Sequence, residues 1–238
     1  MYLAMSNEQN MNGSTCAVFE PKRYENITNG PYSRLKRLTD MIISALGLVV
    51  LCIPLLIVML VVYLDDPGPV FFSQCRVGLQ GRYFRMYKFR SMRIDTPSEL
   101  STAEVQNPNV YITRVGRIIR KYSIDELPQL YNVLIGDMSL VGPRPLILKE
   151  QDMHKMRNHY GVYSVRPGLT GMAQINGRDL VTTDEKIYWD VKYLEEYGFI
   201  TDMKILLGTI PKILSHTDVV EGARNNKSEN VSDVKERN

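Results

Sequence analysis

Between Met41 and Leu64 the chain runs for 24 residues without a single Asp, Glu, Lys or Arg. A helix of that length would reach about 36 Å, more than the roughly 30 Å of a bilayer's hydrocarbon core. A soluble domain seldom buries a helix that is apolar on every side, so this run is expected to sit in a membrane. Pro54, near its middle, removes a backbone hydrogen bond and clashes with the preceding turn, which predicts a break there. Arg34, Lys36 and Arg37 on the leading flank favour the cytosol for that end. A straight span would place everything after Asp65 on the far side, whereas a helix bent at Pro54 would re-enter and leave by the same face. Composition alone admits both.

The rest of the chain has the make-up of one folded domain. Of 238 residues, 44% are hydrophobic and 23% charged, enough to bury a core. Cys16, Cys52 and Cys75 are odd in number and share no metal-ligand spacing, so neither a disulfide frame nor a zinc site is indicated. The net charge of +3 conceals a concentration. Between Val70 and Lys121, ten basic residues stand against Asp95, Glu99 and Glu104, an excess of seven. Such an excess implies an anionic partner: phosphate, acidic lipid or nucleic acid. Residues 1–31 are polar and aperiodic and are expected to be disordered, without the charged and apolar regions of a signal peptide. Residues 32–66 form the membrane-associated segment, 67–215 the folded domain and 216–238 a loose tail.

Within the domain, Val70–Gln74 and Tyr83–Phe89 read as two strands flanking Gly78–Gly81, a hairpin that delivers Lys88 at its end. From Thr113, apolar Val115, Ile118, Ile119 and Tyr122 alternate with Arg114, Arg117, Arg120 and Lys121 in the pattern of a basic amphipathic helix, suited to a membrane interface. Asp125 and Glu126 follow within about a turn. Two adjacent carboxylates beside so much positive charge make a plausible kit for chemistry on a phosphate. Read more plainly, they are the acidic start of a helix and complement its dipole. That helix has Leu127, Leu130, Tyr131 and Leu134 as its expected core face. In Gly142-Pro143-Arg144-Pro145, two prolines fix the backbone that presents Arg144, whose guanidinium suits phosphate or a nucleobase. Residues 146–163 are expected to be helical, with His154 and His159 in solvent. Arg166 and Arg178 bracket an expected strand around Met172 to Ile175, and both could face phosphate. A last helix built on Met203, Leu206, Leu207, Ile210 and Leu214 should kink or end at Pro211.

The run SIDELPQLYNVLIGDMSLVGPRP at 123–145, KFRSM at 88–92 before it and VRPGLTGMAQINGR at 165–178 after it resemble the bacterial sugar transferases that act as monotopic polyprenyl-phosphate phosphoglycosyl transferases. The three blocks occur in that family's order and cover roughly Arg34 to Leu214. The resemblance implies a predominantly helical α+β fold, with a re-entrant membrane helix, a small cytosolic catalytic domain and interface helices. The family's break carries a Ser-Pro pair, where this chain has Ile53-Pro54.

It further implies transfer of a sugar 1-phosphate from a UDP-sugar to polyprenyl phosphate at the cytosolic face of the bacterial inner membrane. Asp125 would be the nucleophile, and Asp125 with Glu126 would hold Mg²⁺. Lys88, Arg120, Arg144, Arg178 and Asp202 would contact substrate. Nucleic acid is not expected as a partner, and a homodimer stays open. The competing class is a membrane-tethered protein that binds acidic lipid or nucleic acid through its basic surface; it gives no reason for carboxylates inside the basic zone.

Overall fold

The computed structural model describes residues 8–9, 15–16, 27, 30–96, 108–177 and 182–215. Within the first 29 residues, Glu8–Gln9 pairs antiparallel with Thr15–Cys16.

Helix α1 (Pro31–Val50) starts with Pro31 at its first position, where the missing N–H costs nothing and the fixed φ suits a helix. Leu51 interrupts it, and α2 (Cys52–Asp65) leaves at 63°. The break lies one turn upstream of Pro54 rather than at it. Proline cannot donate to the carbonyl four residues back and its ring crowds that group, so the distortion falls on Val50 and Leu51. The ladder resumes when the Leu55 N–H donates to the Leu51 carbonyl at 2.8 Å. Among the described residues no single helix is long and apolar enough to cross a membrane, but the bent pair is so by length and composition.

The pair is inside-out. Lys36, Asp40 and Ser44, four apart and therefore on one stripe of α1, are buried. Leu38, Ile42, Leu46, Val49, Ile53, Leu56, Ile57, Leu60 and Leu64 face outward, and Val49 is 73% exposed. The polar stripe docks on the domain: the Asp40 carboxylate accepts the Ser139 hydroxyl at 2.6 Å and the Leu140 N–H at 3.3 Å. An apolar surface of this extent marks a contact face for a membrane or a partner.

Strands β1 (Phe71–Val77) and β2 (Tyr83–Phe89) form the expected hairpin, antiparallel with Phe71 opposite Phe89 and Val77 opposite Tyr83. Phe84 and Met86 point into the main core and Phe89 into a second cluster with Val62 of α2 and Ile119. Helix α3 (Arg114–Lys121) is capped by Thr113, whose hydroxyl accepts the Gly116 N–H, and by Asp65, which accepts the Val115 N–H. A 3₁₀ turn at Ile124–Glu126 leads into α4 (Gln129–Ile135). Strand β3 (Ser139–Val141) pairs in parallel with β4 (Gly168–Thr170). Gly142 and Gly168 are fixed there by space, since a Cβ on Gly168 would fall 2.1 Å from the Gly142 nitrogen. Helices α5 (Gln151–His159), α6 (Thr183–Glu195) and α7 (Phe199–Ser215) close the core around Val133, Met138, Val141, Val162, Tyr193 and Ile205.

Several expectations need correction. Tyr131 is 49% exposed, because α4 turns Gln129, Leu130, Asn132 and Val133 inward instead. His154 is buried: its Nε2 is 2.8 Å from the Ile147 carbonyl and its Nδ1 meets the Tyr163 hydroxyl. Helix α5 begins only at Gln151, because the carbonyls before it are engaged elsewhere. Met172–Ile175 is a turn of helix; the strand is β4 just before it, which ends where its partner β3 does. Helix α7 continues past Pro211 to Ser215, since the carbonyl that proline leaves unserved belongs to Leu207 on the exposed face. Of the expected helix face of α7, Met203 and Leu206 are half-buried while Leu207 and Ile210 are exposed; the buried position is Ile205, which that face did not include.

Candidate active site

The acidic pair sits where α3 hands over to α4. Ser123, in the left-handed region at φ 56°, reverses the chain after α3, and its N–H closes onto the Arg120 carbonyl at 3.0 Å. The 3₁₀ turn that follows aims Asp125 and Glu126 at the end of the hairpin. Lys88, second to last in β2, donates to Glu126 Oε1 at 2.9 Å. Arg144 donates to the same oxygen at 2.8 Å from the Pro143-Arg144-Pro145 turn. Three segments, 38 and 18 residues apart, therefore meet at one carboxylate.

Asp125 lies beside them and is 8% exposed. Burial pushes its carboxyl above the ordinary range; Glu126 adds to that, while Lys88, Arg120 and Arg144 pull it back. Burial would push Glu126 up as well, but Arg144 and Lys88 overcome it and hold that carboxyl well below its usual range. Neighbouring acids are thus driven apart: Glu126 stays an anion locked in ion pairs, and Asp125 is the carboxyl whose protonation can change.

Asn132, which is fully buried, holds hairpin and helix in register. Its side chain accepts the Tyr87 N–H at 3.0 Å and donates to the Arg85 carbonyl at 2.7 Å and to Asp137 at 3.2 Å. That clamp flanks Lys88 and carries α4 immediately after the acidic pair. The sequence did offer a signal, an amide between Leu130 and Val133 on an apolar face.

Lys88, Arg120 and Arg144 are brought to Asp125 and Glu126, and Arg178 lies outside the described residues. Asp202 belongs to a different, closed cluster. It forms an ion pair with Lys36 and accepts the Tyr32 hydroxyl at 2.6 Å and the Tyr193 hydroxyl at 3.0 Å. Arg166 is half-buried, and its Nε donates to the Gly136 carbonyl at 2.9 Å. Arg37 donates to the Val133 carbonyl at 2.6 Å and the Leu134 carbonyl at 2.9 Å. Both arginines offset the negative end of α4.

Among the described residues no group of three His, Cys, Asp or Glu converges as a metal cage. Two carboxylates alone nevertheless fit Mg²⁺, which prefers hard oxygens and keeps several positions for water and substrate phosphate.

Residues 31–216 match the family model described as bacterial sugar transferase. The chain belongs to that family. It is 44% identical over 183 residues to an uncharacterized sugar transferase, EpsL, of Bacillus subtilis (strain 168), covering 76% of this chain and 87% of that protein. It is 40% identical over 200 residues to the UDP-glucose:undecaprenyl-phosphate glucose-1-phosphate transferase of Caulobacter vibrioides, covering 78% and 74%. Against the galactosyl transferase CpsE of Streptococcus agalactiae serotype III the identity is 39% over 222 residues, 88% of this chain and 48% of CpsE. The chain thus spans about half the length of that last relative. As a sugar transferase it is an enzyme, and the convergence of Lys88 and Arg144 on the acidic pair is the arrangement of its described residues best suited to handling a phosphate.

Proposed function

We propose that this sugar transferase moves a sugar 1-phosphate from a UDP-sugar to a polyprenyl phosphate, undecaprenyl phosphate being the acceptor named for several relatives. The observation that carries the reading is the convergence of Lys88 and Arg144 on one oxygen of Glu126 beside the buried Asp125. A carboxylate attacking a diphosphate meets negative charge, and positive groups fixed beforehand offset that repulsion.

Asp125 Oδ attacks the β-phosphorus, the bond from that phosphorus to the bridging oxygen breaks, and UMP leaves with the electron pair. A phosphate oxygen of the polyprenyl phosphate then attacks the same phosphorus and releases Asp125, giving a diphosphate-linked lipid sugar. Lys88 and Arg144 bind the phosphates and hold Glu126; Lys88 first and Arg120 after it favour the ionised form of Asp125 against its burial. Mg²⁺, held by Asp125 and Glu126 together with substrate oxygens, would neutralise phosphate charge when bound.

The outward apolar face of α1 and α2 supports a membrane location, with the domain on the cytosolic side where nucleotide sugars are made. A polyprenyl chain cannot leave the bilayer cheaply, at about 0.8 kcal/mol per exposed CH₂, so the enzyme has to meet it there. Such a step would open the assembly of an exopolysaccharide or capsule.

UMP release from a panel of UDP-sugars, with polyprenyl phosphate and Mg²⁺, tests the reaction and selects the donor, since the relatives' names divide between glucose and galactose. Repeated turnover that depends on both lipid and sugar is expected, with no more than one UMP per enzyme when lipid is left out, and silence across the panel overturns the reading. Omitting the lipid should leave a phosphosugar adduct on the Asp125 peptide in mass spectrometry.

A further inference from the structure

The turn that presents Arg144 is held in an unusual way. Pro143 and Pro145 have no N–H, so the segment can be fastened mainly through its carbonyls. Each of five consecutive carbonyls has a donor from elsewhere in the chain. Pro143 accepts the Gly168 N–H at 2.9 Å, Leu146 the Val77 N–H at 3.4 Å, and Ile147 faces His154 Nε2 at 2.8 Å. The two between are held by guanidinium groups. Arg157 Nη1 donates to the Arg144 carbonyl at 2.7 Å, and Arg76 Nη1 to the Pro145 carbonyl at 3.2 Å.

Neither arginine is there for solubility. Arg157 is 3% exposed and is oriented by the equally buried Asp190, which takes its Nε at 2.9 Å and Nη2 at 2.6 Å. Arg76 gives Nη2 to Gln74 at 2.6 Å and leaves its buried Nε without a hydrogen bond. Burial first and the like charge of Arg144 second lower its pKa to about 10. A half-buried cation beside another is a standing cost, and the Pro145 carbonyl is what its position secures.

We propose that Arg157, aimed by Asp190, and Arg76 are positioning residues that clamp the Arg144–Pro145 backbone and so hold the Arg144 guanidinium against Glu126. In rate terms this rests on the proposed transfer reaction, with Arg144 as a phosphate ligand, and neither clamp residue touches substrate. A lysine at either position keeps the charge but loses the fork that serves two acceptors at once.

The test uses the full chain in detergent or nanodiscs and crosses Arg157→Lys and Arg76→Lys with Arg144→Ala. Arg157→Lys should raise the KM for UDP-sugar about tenfold and Arg76→Lys about fivefold, the scale of one charged and one weaker hydrogen bond. In the Arg144→Ala background both effects should vanish, because nothing remains to be positioned. Effects that multiply there overturn the proposal. A second readout needs no turnover: modification of Arg144 by phenylglyoxal, followed by peptide mass spectrometry, should run at least about threefold faster in either lysine variant as the Glu126 pair loosens, with Arg120 unchanged. An unchanged Arg144 rate overturns the clamp even if the wild type releases no UMP, a result that would instead strike the proposed reaction. Should Arg157→Lys fail to fold, Arg76→Lys, less deeply buried, decides both measurements.

Discussion

Lys36–Asp202 and Lys88–Glu126 are both lysine–carboxylate pairs closed across long stretches of sequence, yet their settings differ. The first is sealed, its side chains 9% and 8% exposed, with Tyr32 and Tyr193 completing the carboxylate's partners. Those partners tie Asp202 to α1 and α6. In the second, Glu126 shares one oxygen between Lys88 and an Arg144 that is 48% exposed, and Asp125 stands alongside under the same charges. Three cations there face two carboxylates, leaving room for a further anion. An enclosed pair ties elements together, whereas one with an exposed arginine and surplus positive charge suits an anionic ligand.

The sharpest way to break this contrast is Asp125→Asn. It removes the reacting oxygen while keeping the shape, so turnover should fall by at least about a thousandfold with little change in melting temperature. Near-normal rates would remove Asp125 as nucleophile. Asp202→Asn should do the reverse, leaving Lys36 charged and buried at a cost of about 3–5 kcal/mol in stability, with KM unmoved in whatever folds. A raised KM at an unaltered melting temperature would return Asp202 to the substrate ligands.

Arg144→Ala should raise the KM for UDP-sugar by roughly ten- to a hundredfold, the value of a charged hydrogen bond, with a smaller effect on melting. The smallest effect is on the pH profile. Because Asp125 is raised, the acid limb of kcat/KM should lie above that of an ordinary aspartate, with activity lost as pH falls and the carboxyl is protonated. Lys88 pulls this carboxyl down, so Lys88→Met should shift the limb to still higher pH. A limb that stays in place would mean that another group sets it.

Much of the site could be read from the chain because its signals are local. Alternation gave the hairpin and placed Lys88 at its end, the basic period gave α3, and two prolines marked Arg144 as fixed in place. What escaped was whatever depends on a distant partner. Lys36 looks like a topology signal because the stretch beside it is apolar, yet its charge is cancelled by Asp202, 166 positions on. His154 and Arg157 lie on a polar-looking helix, and only the fold brings the Ile147 carbonyl and Asp190 to them. Tyr131 was misplaced because α4 is seven residues long and buries an amide where a longer amphipathic helix would bury a ring.

Helix α1 has one more consequence. It opens the greasy exterior and at the same time supplies Lys36 to Asp202, Arg37 to the end of α4 and Asp40 to Ser139. Trimming the chain at the bend to obtain a water-soluble fragment would therefore pull three keystones from the interior, and the remainder should precipitate or unravel. For this fold, the apolar helices and the folded domain are one piece of masonry.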